Sequence, residues 1–117
     1  MTHDHWHCRC NITRWVDDHF PGVVECRLSD RFGREWIFVE KVAVVTTAPI
    51  DPDGAFPQPA FIACEVISWG HDESGRRTAR INTEKPWDIK SLDEVSEFQV
   101  YAEQLIHPRG IEDSNSG

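Results

Sequence analysis

The sequence predicts an all-β protein, a single-domain antiparallel β-barrel of about six strands, with a β-sandwich as the alternative packing of the same strands. Three observations predict it. Apolar residues recur with a period of two in several short runs, as they do when one face of a strand is buried and the other is wet. The runs are separated by Pro, Gly and Asp clusters of the kind that reverse a chain. Two of the resulting hairpins also echo each other in sequence, which makes them candidate pseudo-symmetric units.

The hairpin at Phe20 to Lys41 organises the rest. Val24, Cys26 and Leu28 alternate with Glu25, Arg27 and Ser29, Asp30 to Arg34 supply a turn, and Trp36, Ile37, Phe38 and Val39 follow as an unbroken apolar run. Such a run predicts a strand covered on both faces. Before it, Cys8, Cys10, Ile12 and Val16 fall on one face of an opening strand and Arg9, Asn11, Thr13 and Trp15 on the other. Phe20-Pro21-Gly22 turns that strand into the hairpin. After it, Val42 to Val45 are expected to prolong the strand.

Residues 48 to 60 hold four of the seven prolines. Proline cannot donate to a ladder, so the stretch is expected to be a surface loop, most simply a crossover between two parts of the sheet. Ile62, Cys64 and Val66 then alternate toward Trp69, a polar turn covers Gly70 to Gly75, and Arg76 to Thr83 returns as a solvated strand. A helical turn is a candidate for Leu92 to Glu97. Phe98 and Val100 mark a last strand within Ser96 to Tyr101. Residues 1–107 are thus expected to form the barrel domain, and residues 108–117, rich in Gly, Ser, Asn and acid, a disordered tail.

The internal echo pairs Pro21, Val24, Cys26, Leu28, Asp30, Gly33, Arg34, Glu40 and Lys41 with Pro59, Ile62, Cys64, Val66, Asp72, Gly75, Arg76, Glu84 and Lys85. Duplication would give two copies that close a small barrel and leave a groove at their junction. Convergence on common turn and strand solutions explains the same pairs.

The runs PGVVECRLSDRFGREWIFVEKVAV, PAFIACEVI, DESGRR and EKPWDIKSLDEVSEF resemble a type of small bacterial β-barrel protein with no assigned activity. That resemblance implies a fold and carries over no catalytic residue. The hairpin pattern is similar, more loosely, to the small barrels of translation factors.

Composition narrows the function classes. Twenty acidic residues against twelve basic ones leave a formal charge of −8, which repels phosphate backbones and anionic lipid. No nucleic-acid or membrane partner is expected. The amino-terminal residues lack the pattern of a secretory signal, no apolar run reaches the roughly 18 residues of a membrane span, and a cytoplasmic location follows as the expectation. Cys26 and Cys64 each sit in an apolar alternation, so the four cysteines are expected to be reduced thiols.

Candidate chemistry is sparse. His3, His5, His7, Cys8 and Cys10 form the densest cluster; no cofactor is expected, and the alternative is a zinc ion with His5, His7, Cys8 and Cys10 as its candidate ligands. The competing reading is a solvated end leading into the first strand. Asp17, Asp18 and His19, like His71, Asp72 and Glu73, are candidate acid–base sets, although such residues in turns usually bond the local backbone. Trp15 and Trp69 are assigned to the faces opposite their strands' apolar rows. With Phe56 and Phe61 they define a candidate binding surface near the 48–60 loop for a peptide or protein partner.

Overall fold

Two long strands set the architecture of this computed structural model, which describes residues 5–46 and 54–108. β1 (Trp6–Asp17) pairs antiparallel with β4 (Gln58–His71) along Trp6 to Ile12 and with β2 (Val23–Ser29) along Asn11 to Asp17. β4 is shared in the same way, with β1 on its first half and β5 (Arg77–Asn82) from Glu65 onward. Each long strand hands the ladder from one neighbour to the next. The sheet, ordered β3-β2-β1-β4-β5-β6, therefore curls into a half-barrel.

β3 (Glu35–Lys41) and β6 (Glu97–Tyr101) are the ends of that order. Isolated bonds link the two sides: Arg31 N donates to Gln99 O at 2.8 Å, and Leu92 N to Ile37 O at 2.8 Å. Phe98 also meets Trp36 and Phe38 edge-on, with centroids at 5.2 and 5.7 Å. A 3-10 turn (Ala102–Gln104) then delivers β7 (Leu105–Ile106) to β1 beside His7 and Cys8, where β2 has not yet begun to pair. The core is drawn from every strand, with Cys8, Ile12, Val24, Cys26, Leu28, Phe38, Ile62, Cys64, Ile81 and Val100 completely covered.

The predicted all-β barrel-like fold is observed, with local differences. Register shifts interrupt the β1/β2 ladder between Ile12 and Arg14, so that Thr13 is an extra residue. A bulge of this kind reverses which side chains face inward beyond it. Trp15, assigned to the outer face, instead packs against the core, and Val16 is left 45% exposed. Glu25, assigned to the wet face, is only 6% exposed beneath Arg14 and Arg27.

Val42–Val45 form a short helix, α1, and do not prolong β3. The ladder ends where Lys41 meets Val23, after which Val42 N donates to Gly22 O and the chain coils inward to bury Val45. The run from Trp36 to Val39 is fully buried only at Phe38, its other side chains being half-covered. Leu92 to Ser96 are turn and irregular residues without a helix.

The 48–60 stretch is a crossover, since β3 and β4 lie on opposite sides of the β2–β1 pair, but its last residues belong to β4. Pro59 sits opposite Asn11 in the half of β4 that β5 does not reach, where a missing donor is tolerated. Residues 48–53 and the expected tail from 109 onward lie outside the described residues.

The echoed turns are alike in the bonds that their backbone N–H groups make. Asp30 Oδ1 accepts from the backbone N–H of Phe32 and Arg34, and Asp72 Oδ1 accepts from those of Ser74 and Arg76. Gly33 and Gly75 take φ of +83° and +89°, and Arg34 and Arg76 lie over the rings of Trp36 and Tyr101. β1 lies between the two hairpins, so the junction at which a duplicated pair would leave a groove is occupied by a strand.

Candidate functional site

Strand parity decides what the amino-terminal segment can do. Cys8 and Cys10 point into the core with Ile12, while His5 and His7, one residue out of phase, stay half-buried on the other face of the strand. The four residues expected as zinc ligands are therefore split between two faces of one strand. They do not gather around one ion. His3 lies outside the described residues. Burial pushes the Cys8 thiol up, with Cys64 adding to the shift, and a hydrogen bond to Cys26 does the same for Cys10. Cys64 is pushed up to about 12 by burial. All four cysteines are buried free thiols, a state in which a thiolate ligand or nucleophile is disfavoured.

His5 and His7 open onto a different environment. Their ring centroids are 4.9 Å apart, and the Trp87 ring meets His5 edge-on at 6.1 Å. Burial lowers the His7 pKa, and the neighbouring His5 lowers it further. With Ala43, Val44, Val45, Thr46, Phe61, Trp87 and Ile106, the two histidines line a groove of about 510 Å³. Each wall has a local cause. α1 brings Val44 to the rim while Val45 plugs the core, β4 presents Phe61, and β7 places Ile106 beside His7. Trp87, in the turn after β5, is 59% exposed.

Of the four residues expected to form the binding surface, Phe61 lines this groove. Phe56 is half-buried against the core, and Trp15 packs beside Gly22 and Val42 with its indole N–H buried and without a partner among the described residues. Trp69, 41% exposed, is held between Trp6 at 5.4 Å and the Arg77 guanidinium at 4.3 Å. The contribution of Val44 and Ile106 carried no signal in the sequence, because each comes from a different segment. An exposed Trp between Pro86 and Asp88 was the one available hint.

The candidate acid–base sets are accounted for locally. Asp17 lies 2.9 Å from the His19 ring and accepts from its backbone N–H, which lowers the Asp17 pKa and raises that of His19; Asp17, Asp18 and His19 are all exposed. Asp72 closes its turn and also accepts from the Tyr101 hydroxyl at 3.4 Å. Cys64 is buried in the core while His71 is exposed at the end of β4.

Other clefts are more polar. One of about 490 Å³ lies at the β3/β6 side among Asp30, Arg34, Trp36, Arg80 and Glu97, and another of about 330 Å³ among Arg9, Asn11, Arg27 and Gln104. No protein-family model, curated protein or solved structure matches the chain. Fold and groove together thus describe an antiparallel, barrel-like β protein with an apolar cleft edged by imidazoles. No helix among the described residues is long and apolar enough to cross a membrane.

Proposed function

We propose that the chain is a non-catalytic binding module that receives an apolar side chain of a peptide or partner protein in the groove between α1, Phe61 and Trp87. The observation that carries this reading is the groove itself. Its volume of about 510 Å³ is within the range typical of ligand clefts, and its walls are mostly apolar with a half-open tryptophan at the lip. Tryptophan is among the residue types enriched as interface anchors. Among the described residues, the titratable side chains in the wall are two imidazoles without a carboxylate, which supports recognition in preference to acid–base chemistry.

The acidic charge of −8 weighs against nucleic acid as the partner. Four buried free thiols fit a reducing, cytoplasmic setting.

Panning a random peptide phage library against the full chain tests the proposal. Enrichment of peptides with an aromatic or branched aliphatic anchor is expected on wild type and not on Val44→Asp or Trp87→Ala. Equal enrichment on wild type and both variants contradicts it, as does no enrichment at all.

A further inference from the structure

His5 and His7 are two residues apart on an extended chain, so their backbones are separated by about 6.6 Å. Their ring centroids are only 4.9 Å apart, so the rings lean toward each other. Two imidazoles bound to one tetrahedral ion through bonds of about 2.0–2.1 Å bring their centroids to about 5 Å. The observed spacing is thus compatible with a shared ion.

Neither ring has a hydrogen bond or an ion pair among the described residues, although both are half-buried. Trp15 Nε1 is the one side-chain nitrogen or oxygen that is both buried and unpartnered among the described residues, so the imidazole nitrogens of His5 and His7 are open to solvent and to an incoming ion. Near this pair there is an edge-on indole and an apolar wall, and among the described residues no carboxylate lines the groove, although His5 also borders a smaller cleft that contains Glu65 and Lys85.

We propose that His5 and His7 form a two-imidazole site for a borderline divalent transition-metal ion, of which Zn²⁺ is the representative, at the rim of the apolar groove. Imidazole nitrogen suits Zn²⁺, Cu²⁺ and Ni²⁺, and Cu²⁺ binds a given nitrogen site more tightly than Zn²⁺. Two protein ligands leave coordination positions for water or for a donor atom carried by whatever occupies the groove. The buried cysteines take no part, since they project from the other face of β1. The site shares a wall with the proposed binding groove and does not depend on what the groove receives.

Isothermal titration of the chelator-treated full chain with ZnCl₂, and separately with CuCl₂, tests this. One ion per chain is expected, tighter for Cu²⁺, with saturable binding lost in both His5→Ala and His7→Ala and retained in His19→Ala and Trp87→Ala. Histidine ring-proton shifts on adding Zn²⁺ should be confined to two of the rings, those missing from the spectra of the His5→Ala and His7→Ala variants. Circular dichroism confirms that the variants fold. Absence of saturable heat overturns the proposal, as does undiminished binding in either His5→Ala or His7→Ala, or a loss seen in His19→Ala, which would put the ion at the Asp17–Asp18–His19 turn. Because Trp87→Ala removes the groove's lip and leaves both imidazoles, a failed groove and a failed metal site give different results.

Discussion

Thr13 is the extra residue of β1, and its hydroxyl donates to the Glu25 carboxylate at 2.6 Å. That bond holds the Glu25 carboxyl below its ordinary value, with Arg14 and Arg27 adding to the effect against the opposing burial. A depressed folded-state pKa stabilises above the unfolded value and loses that contribution as pH falls through the folded value. Wild-type stability in urea should therefore decline below about pH 4.3, the unfolded value for Glu. Glu25→Gln should decline less steeply, the remaining slope coming from groups such as Asp72, lowered first by the Ser74 hydroxyl. Thr13→Val should cost roughly 1.5–3 kcal/mol in the same measurement, because it removes a bond to a charged group. The thiols make a second residue-scale prediction: with Cys8, Cys10, Cys26 and Cys64 all buried, a thiol reagent such as Ellman's should titrate none in the native protein and all after unfolding. Which residues are buried was legible from alternation for Cys26 and Cys64. Trp15 was not, since a period of two cannot announce the residue at which it breaks.

At the scale of elements, the turns were the most legible part, because Asp-x-x-Gly-Arg states its own bonding. Gly33 and Gly75 both have positive φ, and a Cβ at either would meet nothing within 4 Å. Gly33→Ala and Gly75→Ala should consequently lower stability by similar amounts, about 1–2 kcal/mol each, from backbone strain alone. Gly22→Ala should cost more in the same unfolding experiment. Its φ is +88°, and its Cβ would also come within 3.0 Å of Trp15 Cζ3 and 3.3 Å of Val42 Cγ2. The helix at Val42–Val45 was hidden by its composition: four residues of Val and Ala fit a strand and a helical turn equally well, and only the end of the ladder at the Val23–Lys41 pair decides between them. The prolines of the 48–60 stretch, which read as a loop, concealed the first residues of β4.

For the whole molecule, the barrel-like curl follows from two strands long enough to serve two neighbours each, and their lengths were underestimated from sequence because Pro59 and Trp6 lie beyond the clean alternation. The groove was less legible still. His5, Val44, Phe61, Trp87 and Ile106 come from five separate stretches, and what unites them is the pairing of β1 with both β4 and β7 together with the inward coil of α1. No local pattern encodes that meeting. The central claim is that this groove is where the protein binds. It is tested most directly by fluorine NMR of the chain labelled with 5-fluorotryptophan, its five indoles assigned by single substitution and then observed while a selected peptide is added. The account predicts that Trp87 shifts most while Trp15 and Trp36 stay in place. A spectrum in which Trp69 moves and Trp87 does not would contradict it.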